Sequence, residues 1–213
     1  MPGLFVTFEG GEGTGKSTQI ERLAALLRTR GLDPLVTREP GGTPIGERVR
    51  DLLLDVDRRP TAATEVFLLE ASRAELVATV VRPALEAGRD VLCDRFDDST
   101  LAYQGGGRGL EADTLAALNR FATGGLRPDL TLLLDLDPAV GLRRRSGAGE
   151  ANRLDREPEA FHRRVRERYL ELARREPERI VVLDAMAGED LLETRIRAAY
   201  DAVAARRGAG RVI

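Results

Sequence analysis

The stretch Phe8-Glu9-Gly10-Gly11-Glu12-Gly13-Thr14-Gly15-Lys16-Ser17-Thr18 constrains this chain more than any other. It satisfies G-x-x-x-x-G-K-[ST], with Gly10, Gly15, Lys16 and Ser17 at the required spacing. The apolar run Leu4-Phe5-Val6-Thr7-Phe8 before it reads as a buried strand. Ile20, Leu23, Ala24 and Leu27 after it share one helix face. A strand-to-helix turn of this composition cradles phosphate for a physical reason. Glycines let successive backbone N–H groups turn inward around an anion, and the helix adds its positive dipole end. Lys16 brings a point charge to terminal phosphates, and the Ser17 hydroxyl can ligate Mg²⁺. With its flanks, the motif points to a nucleoside triphosphate. Gly11, Glu12, Gly13, Thr14 and Thr18 complete the candidate ATP-side set. The motif does not say what becomes of the phosphate.

The rest of the chain alternates strand and helix patterns. Strands are predicted at Asp33–Arg38, Asp90–Arg95, Leu130–Leu136 and Arg179–Asp184. Helices are predicted over Ile45–Leu53, Thr61–Ala87 with a break near Pro83, Glu111–Thr123, from Pro138 into Arg143, from Pro158 past Leu172, and through Leu192–Val203. Phe96–Gly109 reads as a polar, glycine-rich loop, and Gly208–Ile213 as a loose tail. Five strands alternating with helices predict an α/β fold: a five-stranded parallel sheet, helix-covered on both faces in three layers, as in P-loop NTPases. At 213 residues, one domain spanning 1–213 is expected, with a lid segment at about 143–155.

Composition excludes more than it selects. The formal net charge of −2 sets up no global attraction for nucleic acid or anionic lipid. No apolar run has the ~18 residues of a membrane span. The N-terminus enters the first strand at once, so no targeting peptide is expected. The single cysteine, Cys93, fits a reducing, cytoplasmic setting.

Ligands in such sheets bind beyond the carboxyl ends of the strands. Asp94, at one of these ends, is placed to hold Mg²⁺ together with Ser17, and Arg95 can bridge donor and acceptor phosphates with its planar fork. The loop carrying Gln104 reads either as a close approach to a small ligand or as flexible surface. Arg73, a lone helical arginine, reads as solvent-facing. Arg143, Arg144, Arg145 and Arg153 bracket a glycine hinge and read as a phosphate lid or as a charged helix surface. His162 has no second His or Cys beside it and reads as a packing or surface residue.

Four segments together resemble bacterial thymidylate (dTMP) kinases. They are Phe8-Glu9-Gly10 leading into the phosphate loop; Thr37-Arg38-Glu39-Pro40-Gly41-Gly42-Thr43; Asp94-Arg95 with Ser99-Thr100-Leu101-Ala102-Tyr103-Gln104-Gly105; and Asn152-Arg153-Leu154-Asp155 through to Tyr169-Leu170-Glu171-Leu172. The phosphate loop is shared by many enzymes, whereas the Arg-Glu-Pro-Gly-Gly and Ala-Tyr-Gln-Gly loops in combination are specific. The resemblance implies transfer of a phosphoryl group from ATP to dTMP, with Mg²⁺, by a homodimer. It implies that Arg73 bonds the thymine base and that Thr100 and Gln104 line the base and sugar pocket. Tyr103 would exclude a ribose 2′-hydroxyl, and Arg38 and Arg95 would hold the acceptor phosphate. Glu12 would lie near the deoxyribose hydroxyl or the metal. Glu39 and Ser99 sit in the two substrate-side loops. Arg144, Arg145 or Arg153 would supply the lid's charge, because Ser146 and Ala148 stand where some relatives carry lid arginines. Leu69 stands where relatives carry a Phe stacked on thymine, with Phe67 the candidate to compensate. The helix from Glu65 to Val81 is the expected partner surface. Two rivals stay open at this point: a kinase for another small acceptor, and a nucleotide-sensing switch with little catalysis.

Overall fold

A computed structural model describes residues 2–146 and 152–207. The tail 208–213 and the middle of the expected lid, 147–151, lie outside the described residues.

The five strands are β1 (Phe5–Glu9), β2 (Leu35–Arg38), β3 (Val91–Asp94), β4 (Leu130–Asp135) and β5 (Ile180–Asp184). They form one parallel sheet in the order β2-β3-β1-β4-β5. Burial explains the order. All five residues of β1 are buried, as is nearly all of β4, which suits strands covered on both faces. β2 alternates half-buried and exposed residues, as an edge strand does. On one face, Val6, Phe8, Leu130, Leu132 and Leu134 pack against α1 (Lys16–Thr29) and α9 (Glu189–Arg207). On the other face, two smaller apolar clusters flank a polar seam. One gathers Phe5, Val91, Cys93 and Phe96, and the other Leu133 and Ile180 with α8 (Glu159–Arg175). In the seam, Thr7 meets Thr131, and Arg179 donates to Thr131 and Asp98. No helix among the described residues is long and apolar enough to cross a membrane.

The remaining helices are α2 (Pro44–Leu54), α3 (Ala62–Leu76), α4 (Arg82–Glu86), α5 (Asp97–Thr100), α6 (Ala112–Thr123) and α7 (Pro138–Ser146). The break expected near Pro83 is a π-helical turn, Val77–Val81, between α3 and α4. The segment predicted as a loop, Phe96–Gly109, is instead α5 continued by a π-helix, Leu101–Gly107. Its glycines serve close packing. A Cβ on Gly107 would stand 2.4 Å from the Phe161 ring, and one on Gly106 2.7 Å from the Arg168 Cβ, so α8 can approach only where these residues lack side chains.

The connections from β3 and β1 run to opposite sides of the sheet: β1 connects outward to β2, and β3 crosses back to β4. The carboxyl ends of these neighbours form the crevice where ligands bind in such sheets.

Candidate active site

The phosphate loop leaves β1 and runs into α1, whose N-cap Gly15 has φ +88°. The loop lies directly on α7. A Cβ on Gly13 would stand 2.2 Å from the Gly141 oxygen, and one on Gly141 2.3 Å from the Glu12 oxygen. Lys16 is buried and donates to the Gly11 oxygen at 2.9 Å, with longer contacts to the Gly10 oxygen and Thr14 Oγ1. Burial first, and then Arg95, lower its pKa. Ser17 and Thr18 are exposed, and Ser17 shares a cavity with Asp94, Arg38 and Glu47. The Asp94 Oδ1 atom is buried there without a hydrogen-bond partner. An orphaned carboxylate oxygen beside a hydroxyl suits Mg²⁺, which binds through one or two protein oxygens and keeps waters and substrate phosphates for the rest. Among the described residues no three His, Cys, Asp or Glu side chains converge, and a site of this kind needs no such group.

A second cavity opens on the other side of the loop. Glu12, Glu39, Leu69, Arg73, Arg95, Ser99, Thr100, Tyr103 and Gln104 all line it, and so does Arg50. The sequence reading did not single out Arg50. It is half-buried, donates to the Pro40 oxygen at 2.9 Å, and its pKa is lowered by burial and then by Arg38. Cations crowded in this way suit an anionic ligand. Its sequence signal was faint: one of two arginines on an amphipathic helix.

The expectation that Arg73 faces solvent is overturned: it is 1% exposed. Its Nε donates to Glu39, Nη1 to Glu70, Thr100 and Asn119, and Nη2 to the Phe96 oxygen. Although burial opposes its charge, Glu39 and Glu70 more than offset that and hold it protonated. A long charged side chain can be buried when every donor finds an acceptor. Phe67 does not compensate for Leu69: it is 63% exposed. Residues two apart on a helix point to different faces. Phe96, fully buried and 5.5 Å from the Arg73 guanidinium, lines the cavity together with Tyr103.

The lid arginines separate. Arg153 is buried in the wall of the second cavity, paired with Glu65 at 2.6 Å and donating to the Leu53 oxygen at 2.8 Å. Arg145 pairs with Asp155 at 3.2 Å. Arg144 donates to the Ala185 oxygen. Arg38 opens toward Ser17 and Asp94, paired with Glu47, and does not line the cavity of Arg95. His162 is buried, as a packing residue can be, with its ring edge on Phe161.

Arg95 joins the two halves. Its Nη1 donates to the Gly10 oxygen at 2.9 Å and its Nη2 to Glu12 at 3.1 Å, while the guanidinium lies 4.9 Å from the Tyr103 ring centre. Tyr103 also donates to Glu12, at 2.7 Å. Burial alone would raise the Glu12 pKa, but Arg95, Lys16 and the Tyr103 hydroxyl outweigh it and hold the carboxyl at about 2. One guanidinium thus touches both a triphosphate cradle and a second, cation-lined cavity. That is the plan of an enzyme moving a phosphoryl group between two bound molecules.

Comparison with known proteins gives this plan a family. Residues 8–196 match the family model described as thymidylate kinase. The chain belongs to the thymidylate kinase family. A thymidylate kinase of Deinococcus radiodurans is 55% identical over 197 residues, covering 92% of this chain and 96% of the relative. One from Pseudomonas putida is 51% identical, covering 97% and 99%. The crystal structure of thymidylate kinase from Ehrlichia chaffeensis superposes with a TM-score of 0.75 at 30% identity, covering 94% of this chain and 99% of that one. The thymidylate kinase fold is therefore the three-layer α/β arrangement expected from the phosphate loop and strand spacing.

Proposed function

We propose that this chain is a Mg²⁺-dependent thymidylate kinase that transfers the γ-phosphoryl group of ATP to dTMP, giving ADP and dTDP. The observation that carries the reading is Arg95, bonded at once to the phosphate loop and to the Glu12–Tyr103 wall of the second cavity. ATP lies along Gly10–Thr18, its phosphates on the loop amides and Lys16. The dTMP phosphate meets Arg95 and Arg50, with its sugar against Tyr103 and its base toward Leu69, Thr100, Gln104 and Arg73. An oxygen of the acceptor phosphate, already anionic near neutral pH, attacks the γ-phosphorus in line, and the bond to the leaving ADP oxygen breaks. No strong general base is needed; positioning and charge neutralisation do the chemistry. Ser17 and Asp94 would hold the Mg²⁺, which when bound neutralises phosphate charge.

We further infer a single domain acting as a cytoplasmic homodimer that binds no nucleic acid. Phe67 of α3 and Phe121 of α6, 63% and 89% exposed on helices that pack together, support that face as the contact between copies. This narrows the expected surface, because Glu65, Glu70 and Arg73 of the same helix are buried within the chain.

A panel of acceptors in a coupled ADP-release assay tests the reading. dTMP should greatly outpace dUMP, dCMP and thymidine. Equal rates, or turnover independent of the acceptor, would replace it with a broader kinase or a nucleotide switch.

A further inference from the structure

Glu9 takes no part in the steps above, yet its carboxylate is fully buried beside Arg95. Arg95 is the only non-glycine among the described residues with a positive φ, +69°. An L-residue in that region carries a steric penalty and persists only where its surroundings hold it. The two peptide N–H groups that bracket Arg95 both bond to consecutive residues of β1. The Arg95 N–H donates to the Phe8 oxygen at 3.0 Å, and the Phe96 N–H donates to Glu9 Oε1 at 2.7 Å. These bonds pin the peptide planes on either side of the Arg95 α-carbon, and with them φ and ψ. The other Glu9 oxygen accepts from Ser99 Oγ and from the Tyr169 hydroxyl, each at 2.7 Å. Tyr169 in turn lies 3.4 Å from Arg95 Nη1. One carboxylate thus reaches Arg95 twice, through the backbone and through the side chain.

We propose that Glu9 is a positioning residue for phosphoryl transfer: it holds Arg95 in the left-handed conformation that aims its guanidinium between the phosphate loop and the acceptor cavity. The two oxygens of one carboxylate have room for several donors, so they can hold one amide and two hydroxyls together, even though burial and then Asp98 push the Glu9 pKa up. Without it the Phe96 N–H is buried with no acceptor. Arg95 then relaxes toward right-handed backbone, which redirects its Cβ and everything beyond. The inference rests on the proposed bridging role of Arg95.

The test is steady-state kinetics with ATP and dTMP on Glu9→Ala, Glu9→Gln and Tyr169→Phe, each made with Arg95 intact and with Arg95→Ala, melting temperatures being recorded throughout. With Arg95 intact, Glu9→Ala should lower kcat about thirtyfold, a size typical of lost positioning, with the KM for ATP little changed. Glu9→Gln, whose amide oxygen can still accept from Phe96, should recover part of this. With Arg95→Ala the same substitutions should change kcat less than about twofold, because residues acting through one another are not additive. Equal factors in both backgrounds would mean that Glu9 merely supports the fold, and would overturn the proposal. If Glu9→Ala does not fold, Tyr169→Phe decides by the same criterion. Turnover that collapses in Arg95→Ala but survives in the Glu9 variants sinks this inference alone. Full turnover in Arg95→Ala sinks the functional reading with it.

Discussion

The proposed donor side of the site is one unbroken stretch, Gly10 to Thr18, a glycine-rich loop suited to offer main-chain N–H groups to an anion. The proposed acceptor side is assembled from side chains far apart in sequence: Glu39, Arg50, Arg73, Arg95, Thr100 and Gln104. Those side chains lean on one another. Arg73 alone ties α3 to the β2–α2 turn, to α5 and to α6. A backbone cradle loses function locally when a side chain is cut away. A lattice of buried charges passes the loss to the fold, because the surviving partners are left uncompensated.

The sharpest way to break this contrast is Arg73→Ala. It strands Glu39 and Glu70 in the interior and should lower unfolding free energy by about 3–5 kcal/mol, read by urea denaturation. A loss below about 1 kcal/mol would mean that the acceptor side is no more interdependent than the donor side. Lys16→Ala should do the opposite: turnover falls about 1000-fold, worth about 4 kcal/mol in the transition state, while melting temperature and dTMP binding hardly move. Unchanged turnover would remove the donor side from the mechanism.

Glu12 belongs to both sides, its backbone in the loop and its carboxylate in the cavity, and pH isolates it. Its folded pKa, about 2, lies below the ordinary 4.5. The stability it contributes is therefore fully present above about pH 4.5 and is lost as the pH falls through about 2. The stability difference between wild type and Glu12→Gln should shrink by on the order of 3 kcal/mol across that window. A difference that stays level with pH would mean Arg95 does not hold the carboxylate. Arg50→Ala should raise the KM for dTMP about tenfold to a hundredfold with the KM for ATP nearly constant, since a charged hydrogen bond to one substrate is removed. Equal rises in both KM values would place Arg50 between the nucleotides. The smallest effect is Leu69→Phe. A ring added to the acceptor wall should tighten dTMP about threefold to tenfold by calorimetry, as aromatic stacking contributes ~1 kcal/mol. Weaker binding would put the base elsewhere.

Where legibility ended follows the same division. The phosphate loop could be read because spacing and local backbone chemistry are both properties of contiguous residues. The sheet could be read because each strand's apolar run is local. The helix 97–107 was missed because three glycines signal flexibility in sequence, whereas here Gly106 and Gly107 permit the contact with α8. Arg73 was misread for a related reason: a lone arginine is exposed by default, and its five acceptors come from residues 39, 70, 96, 100 and 119. Phe67 was misassigned because helix phase turns its ring to solvent, away from the cavity that Leu69 lines.

By itself the sequence determined the alternating strands and helices, the parallel sheet and the cradle for a triphosphate, since propensity, periodicity and motif spacing act over a few residues. Only the tertiary structure decided which arginines are buried, which cavity each one faces and why Arg95 adopts its left-handed backbone. Those outcomes depend on desolvation set against partners brought together across the whole chain, and no local pattern encodes that balance.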